Sequence, residues 1–126
     1  MESSVMLSIR EGEAPEREYE FHSFNRCIIG RDVDCDIRLV GPGVSRRHCA
    51  VLVDPPFICV RDLGSLNGTF VNGENIGRRE KDERPGDIGM EGPQVDLRSG
   101  DEFRICDTVF EVNIQFAARE PELVEA

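Results

Sequence analysis

Apolar residues in this chain recur at every second position in short runs, and nowhere does a helical 3.6-residue spacing persist. Val5, Leu7 and Ile9 alternate with Met6, Ser8 and Arg10, and Tyr19 and Phe21 with Glu18, Glu20 and His22. Further on, Phe103 and Ile105 alternate with Glu102 and Arg104. Phe110, Val112, Ile114 and Phe116 then line up against Glu111, Asn113 and Gln115. A period of two is what a strand with one face on a core requires. The middle runs are more fully apolar: Cys27-Ile28-Ile29, Cys49 to Val53, and Phe57 to Val60. They suit strands buried on both faces or central in a sandwich. Asp54-Pro55-Pro56 marks a turn between two of them. Many short strands with frequent turn signals predict an all-β fold, an antiparallel β-sandwich of two sheets.

Two segments fall outside the pattern. Residues 77–94 are polar, charged and glycine-rich, and read as a long surface loop. Residues 117–126 are acidic with one proline and read as a tail or linker, leaving a single domain over residues 1–116. Such a tail suggests a piece of a larger protein. With 126 residues, 39% hydrophobic and 32% charged, the chain has the size and make-up of one soluble globular domain. No apolar run approaches the roughly 20 residues that span a bilayer, and the first residues lack the features of a signal peptide. A cytoplasmic location is therefore expected, with no membrane partner. The five cysteines agree: their number is odd, none forms a CxxC pair, and most sit in apolar runs as small core residues.

Charge changes the picture only once it is mapped. The net charge is −10, yet residues 22–73 hold six Arg against five Asp, a balance of +1, leaving −11 for the rest. Nucleic acid is disfavoured by the global field, by a pI of about 4.6, and by the lack of a basic face with stacking aromatics. Screening to about 10 Å still lets local arginines hold one phosphate.

Three short segments carry the candidate chemistry. Gly30-Arg31 directly follows an apolar strand, which puts a cation on a loop-bearing edge. Ser45-Arg46-Arg47-His48 precedes the strand from Cys49; a hydroxyl beside a guanidinium can give one phosphate both a neutral and a charge-assisted hydrogen bond. Ser65-Leu66-Asn67-Gly68-Thr69-Phe70-Val71-Asn72-Gly73 contains two Asn-Gly pairs. They predict tight turns, with a loop running into a short hairpin.

In order and separation these segments, with Asp36-Ile37 and Gly100-Asp101, resemble the forkhead-associated (FHA) domain across about residues 5–116. The resemblance implies a twisted sandwich of the FHA/SMAD type with the binding loops at one end. It implies recognition of a phosphothreonine-containing protein or peptide, with a cognate or attached Ser/Thr kinase as the natural source of the phosphate. Carried over residue by residue, Arg31, Ser45 and Arg46 would contact the phosphate. Asn67 would bond the peptide backbone, with Ser65 and Leu66 beside it in the binding loop. Gly30, His48, Gly68, Thr69, Asn72 and Gly73 would be architectural, His48 bracing the two loops.

Other readings of the same residues are weaker. Arg47 alternates with Arg46 and should point away from the pocket. Ser45 and His48, three apart entering a strand, make poor nucleophile geometry, so no enzymatic activity is expected. Asp32, Asp34 and Asp36 begin like a calcium loop, but Ile37 and Gly43 stand where Gly and Glu are needed. His22, Cys27 and Cys35 lack zinc spacing. Neither a metal nor another cofactor is expected.

Overall fold

The computed structural model describes residues 3–12, 16–77 and 93–116, so most of the expected 77–94 loop and the 117–126 tail lie outside it. Eleven strands and no helix form among the described residues. In chain order they are β1 Ser4–Glu11, β2 Glu18–Phe21, β3 Asn25–Gly30, β4 Ile37–Arg38, β5 Cys49–Asp54 and β6 Phe57–Asp62. There follow β7 Thr69–Val71, β8 Glu74–Gly77, β9 Val95–Asp96, β10 Glu102–Ile105 and β11 Thr108–Gln115.

They build two sheets. One has six strands in the order β2-β1-β11-β10-β7-β8; the other has five, in the order β4-β3-β5-β6-β9. The expected sandwich is present, with one change: β3 and β4 run parallel, Ile29 beside Ile37 and Gly30 beside Arg38. Gly77 is the last residue of β8, not the first of a loop.

The alternating runs bury their apolar faces against each other. Val5, Leu7 and Ile9 of β1 meet Phe110 and Val112 of β11 and Phe103 and Ile105 of β10, all buried. Cys27, Ile29, Cys49, Val51, Val53, Ile58 and Val60 close the core from the second sheet. Phe103 and Phe110 face each other across β10 and β11 with stacked rings 4.8 Å apart. Each such ring removed from water contributes roughly 1.5–3 kcal/mol. Of the two expected arrangements for the middle strands, central placement holds, since β3, β5 and β6 lie inside their sheet; burial on both faces does not, since Phe57 is exposed and Leu52 and Cys59 are half-buried. Phe116 lies beyond β11 and is 64% exposed, because the facing strand β1 begins at Ser4 opposite Gln115.

This topology sends four connections to one end. They are residues 31–36 after β3, 39–48 between β4 and β5, 63–68 between β6 and β7, and the tight turn at Cys106 between β10 and β11.

Candidate functional site

The loops at this end are held by their own backbone and by a few buried side chains. Arg31 N–H donates to the Ser45 carbonyl (3.0 Å) and Asp32 N–H to the Arg46 carbonyl (3.1 Å), setting Arg31, Ser45 and Arg46 side by side. The close approach explains Gly30, where a Cβ would collide with the Arg46 carbonyl. Cys35 Sγ adds a second hydrogen bond to that carbonyl at 3.1 Å.

His48 is completely buried and joins two loops. Its Nδ1 accepts from Ser45 N–H (3.1 Å), so Nε2 carries the proton and donates to the Gly68 carbonyl (2.8 Å). Burial pushes the imidazole below its usual pKa, outweighing the Gly68 carbonyl and the Asp62 carboxylate, which both favour the charged form. A neutral ring with both nitrogens committed to backbone is no general base for Ser45.

Asp62, which the sequence reading missed, is the centre of the third loop. Fully buried at the end of β6, it accepts four hydrogen bonds. Ser65 Oγ and Thr69 Oγ1 donate to Oδ1 (each 2.6 Å), and Gly64 N–H (2.9 Å) and Ser65 N–H (2.8 Å) donate to Oδ2. Strand parity was the available signal: Ile58, Val60 and Asp62 share the inward face. Ser65 departs from its expected place among peptide contacts. It is fully buried, its hydroxyl donating to Asp62 and accepting from Gly68 N–H at 2.9 Å, so it braces the loop from inside.

Leu66 and Asn67 are exposed on this framework. Leu66 N–H donates to Ser45 Oγ (3.0 Å), leaving the hydroxyl proton of Ser45 available to a ligand. Asn67 Nδ2 donates to the Gly43 carbonyl (2.8 Å), tying its loop to residues 39–48, while its carbonyl oxygen has no hydrogen-bond partner among the described residues. Gly43 is required there: φ is +84° and a Cβ would lie 2.5 Å from Asn67 Nδ2. Gly68, at φ +91°, turns the chain back into β7.

The second Asn-Gly pair forms the β7–β8 turn with both residues at positive φ (Asn72 49°, Gly73 85°), as a two-residue hairpin requires. Asn72 also donates from Nδ2 to Asp101 (3.2 Å) and accepts from Glu102 N–H (2.9 Å). That ties the hairpin to β10, away from the exposed loops.

Charge at this end is selective. Arg47 is held by Asp34 at 2.9 Å, and Asp36 accepts from Ile28 N–H at 2.8 Å. The guanidinium groups of Arg31 and Arg46 are exposed and have no partner among the described residues. Two free guanidiniums and a hydroxyl proton beside an open amide carbonyl suit a dianion attached to a peptide backbone. Burial pushes the thiols of Cys27, Cys35, Cys49, Cys59 and Cys106 upward, that of Cys27 to about 12, which lowers the share of reactive thiolate at each.

Known proteins share the sequence family and the fold of this chain. The family model for the FHA domain matches residues 27–106. The mouse proliferation marker protein Ki-67 is 36% identical over 88 residues, covering 70% of this chain and 2% of its own length. The chain thus spans a small part of the curated relatives it matches. A structure from a study of phosphothreonine-dependent FHA domain interactions is 29% identical with a TM-score of 0.66, covering 87% of this chain and 95% of that one. The kinase-interacting FHA domain of a kinase-associated protein phosphatase from Arabidopsis is 25% identical with a TM-score of 0.72, covering 93% and 98%.

Proposed function

Since the chain belongs to the FHA domain family, we propose that Arg31, Ser45 and Arg46 hold the phosphate of a phosphothreonine peptide, and that Asn67 holds the backbone beside it. The observation that carries this reading is the pair of free guanidiniums on loops braced from within by His48 and Asp62. The phosphate brings about −1.5 to −2 charge and three acceptor oxygens. Arg31 and Arg46 supply charge-assisted donors, and Ser45 Oγ, already accepting from Leu66, donates its proton. Asn67 offers its open amide oxygen to a peptide N–H. Rigid loops leave little ordering cost at binding.

The module recruits a phosphorylated partner and does no chemistry on it. A Ser/Thr kinase, cognate or attached to the same protein, supplies the phosphate; the kinase-interacting relative from Arabidopsis supports that assignment. The five free thiols fit a cytoplasmic setting. An oriented phosphothreonine peptide library, screened against wild type and Arg31→Ala, tests the reading. Wild type should select a defined motif around the phosphothreonine and Arg31→Ala should select none; equal selection by both would refute the assignment.

A further inference from the structure

In a sandwich the outward face of each sheet is normally polar. The five-stranded sheet departs from this near its β5–β6 turn. Leu52 and Cys59 stand opposite each other on the outward face, and Asp96 of β9 stands opposite Cys59. With Phe24, Asp54, Phe57 and their neighbours they line a groove of about 250 Å³. Phe24 is 68% and Phe57 73% exposed, so two phenyl rings in one groove face solvent. Contiguous exposed apolar surface of this kind marks interaction sites.

The charge of the groove narrows its occupant. The carboxylates of Asp54 and Asp96 line it with no hydrogen bond or ion pair among the described residues. None of the described lining residues is Lys or Arg; Arg26 and Arg61 share the outward face but stay out of that described lining. We propose that this groove is a second docking site, for a partner segment presenting an Arg or Lys between apolar residues. The cation lies against the phenyl rings and reaches the two carboxylates, while its apolar neighbours cover Leu52 and Cys59. An acidic segment would meet like charge. The β5–β6 turn sits at the opposite end of the strands from Arg31 and Ser45, so this site stands whether or not the phosphate reading does.

The test is a titration of the isotope-labelled chain, followed by NMR, with three unphosphorylated probes. They are acetyl-Leu-Arg-Leu-Arg-Leu-amide and its counterparts with Glu or Ser in place of Arg. The Arg peptide alone should give saturable shifts at Leu52, Phe57, Cys59 and Asp96. Asp54→Asn with Asp96→Asn should raise its Kd about fivefold, the scale of two exposed charge pairs, and Arg31→Ala should leave it unchanged. The proposal falls if the Glu or Ser peptide binds as well, if no shift saturates, or if shifts confine themselves to residues 31–48 and 63–68. Sedimentation that finds a dimer converted to monomer by Phe57→Ser would overturn it in favour of a second copy of the chain.

Discussion

Asp62 and His48 touch no expected ligand atom, yet the positions of Ser45 and Asn67 depend on them. Asp62→Asn places an amide nitrogen where a carboxylate oxygen accepts two donors. The variant should lose about 2 kcal/mol of stability in urea unfolding, the scale of leaving buried donors unmet; unchanged stability would refute the role assigned to Asp62. The His48 prediction concerns pH. Its pKa is depressed in the folded state, so its contribution is complete above the unfolded value of about 6.5 and declines as pH falls below it. Urea midpoints should drop between pH 7 and pH 5, with a slope of at most about 1.4 kcal/mol per pH unit from this group. A flat profile across that window would contradict the neutral, doubly bonded ring.

At the level of elements, the alternating runs were readable because a period of two leaves a plain trace wherever one face is buried and the other wet. β1, β2, β10 and β11 lie where Val5, Tyr19, Phe103 and Phe110 place them. β4 and β9 escaped notice because two residues cannot display a period, and two residues likewise leave no pattern from which the parallel pairing of β4 with β3 could be read. Asn72-Gly73 announced its turn through residue type alone, but the anchoring of Asn72 to Asp101 and Glu102 had no local sign, being a contact across about thirty residues. Asn72→Ala should therefore cost about 1–2 kcal/mol in thermal unfolding, beyond what the turn preference explains. At temperatures where the variant is folded, its phosphopeptide affinity should match wild type, as measured by fluorescence anisotropy; a loss of affinity would put the hairpin inside the binding site.

Across the whole molecule, the motif segments fall in loops gathered at one end, but they did not give the depth of each residue in them. Ser65 and Leu66 are neighbours in the chain, yet one is sealed beneath the loop and the other stands 54% exposed upon it. Residue type cannot separate them, because burial follows from Asp62 drawing the loop inward. Arg47 was separable, since alternation alone turns it from Arg46. The net charge of −10 likewise says little about an end where Arg31 and Arg46 are exposed and unpartnered among the described residues. The groove at the other end has no motif, and arises only when Phe24, Phe57 and Asp96 come together from three separate parts of the chain. Because the two ends share no residue, Asp54→Asn with Asp96→Asn should leave phosphopeptide Kd within about twofold of wild type by calorimetry.

Under the proposed function, exposed cations on pre-braced loops read a phosphate. Calorimetry on one peptide, with its threonine phosphorylated or not, against wild type and Arg31→Ala, tests it most directly. Wild type should bind the phosphorylated form alone. Arg31→Ala, whose side chain is exposed and unpartnered among the described residues, should keep its melting temperature and bind about ten- to a hundredfold more weakly. Equal binding of both peptide forms, or equal affinity before and after the substitution, would contradict the account.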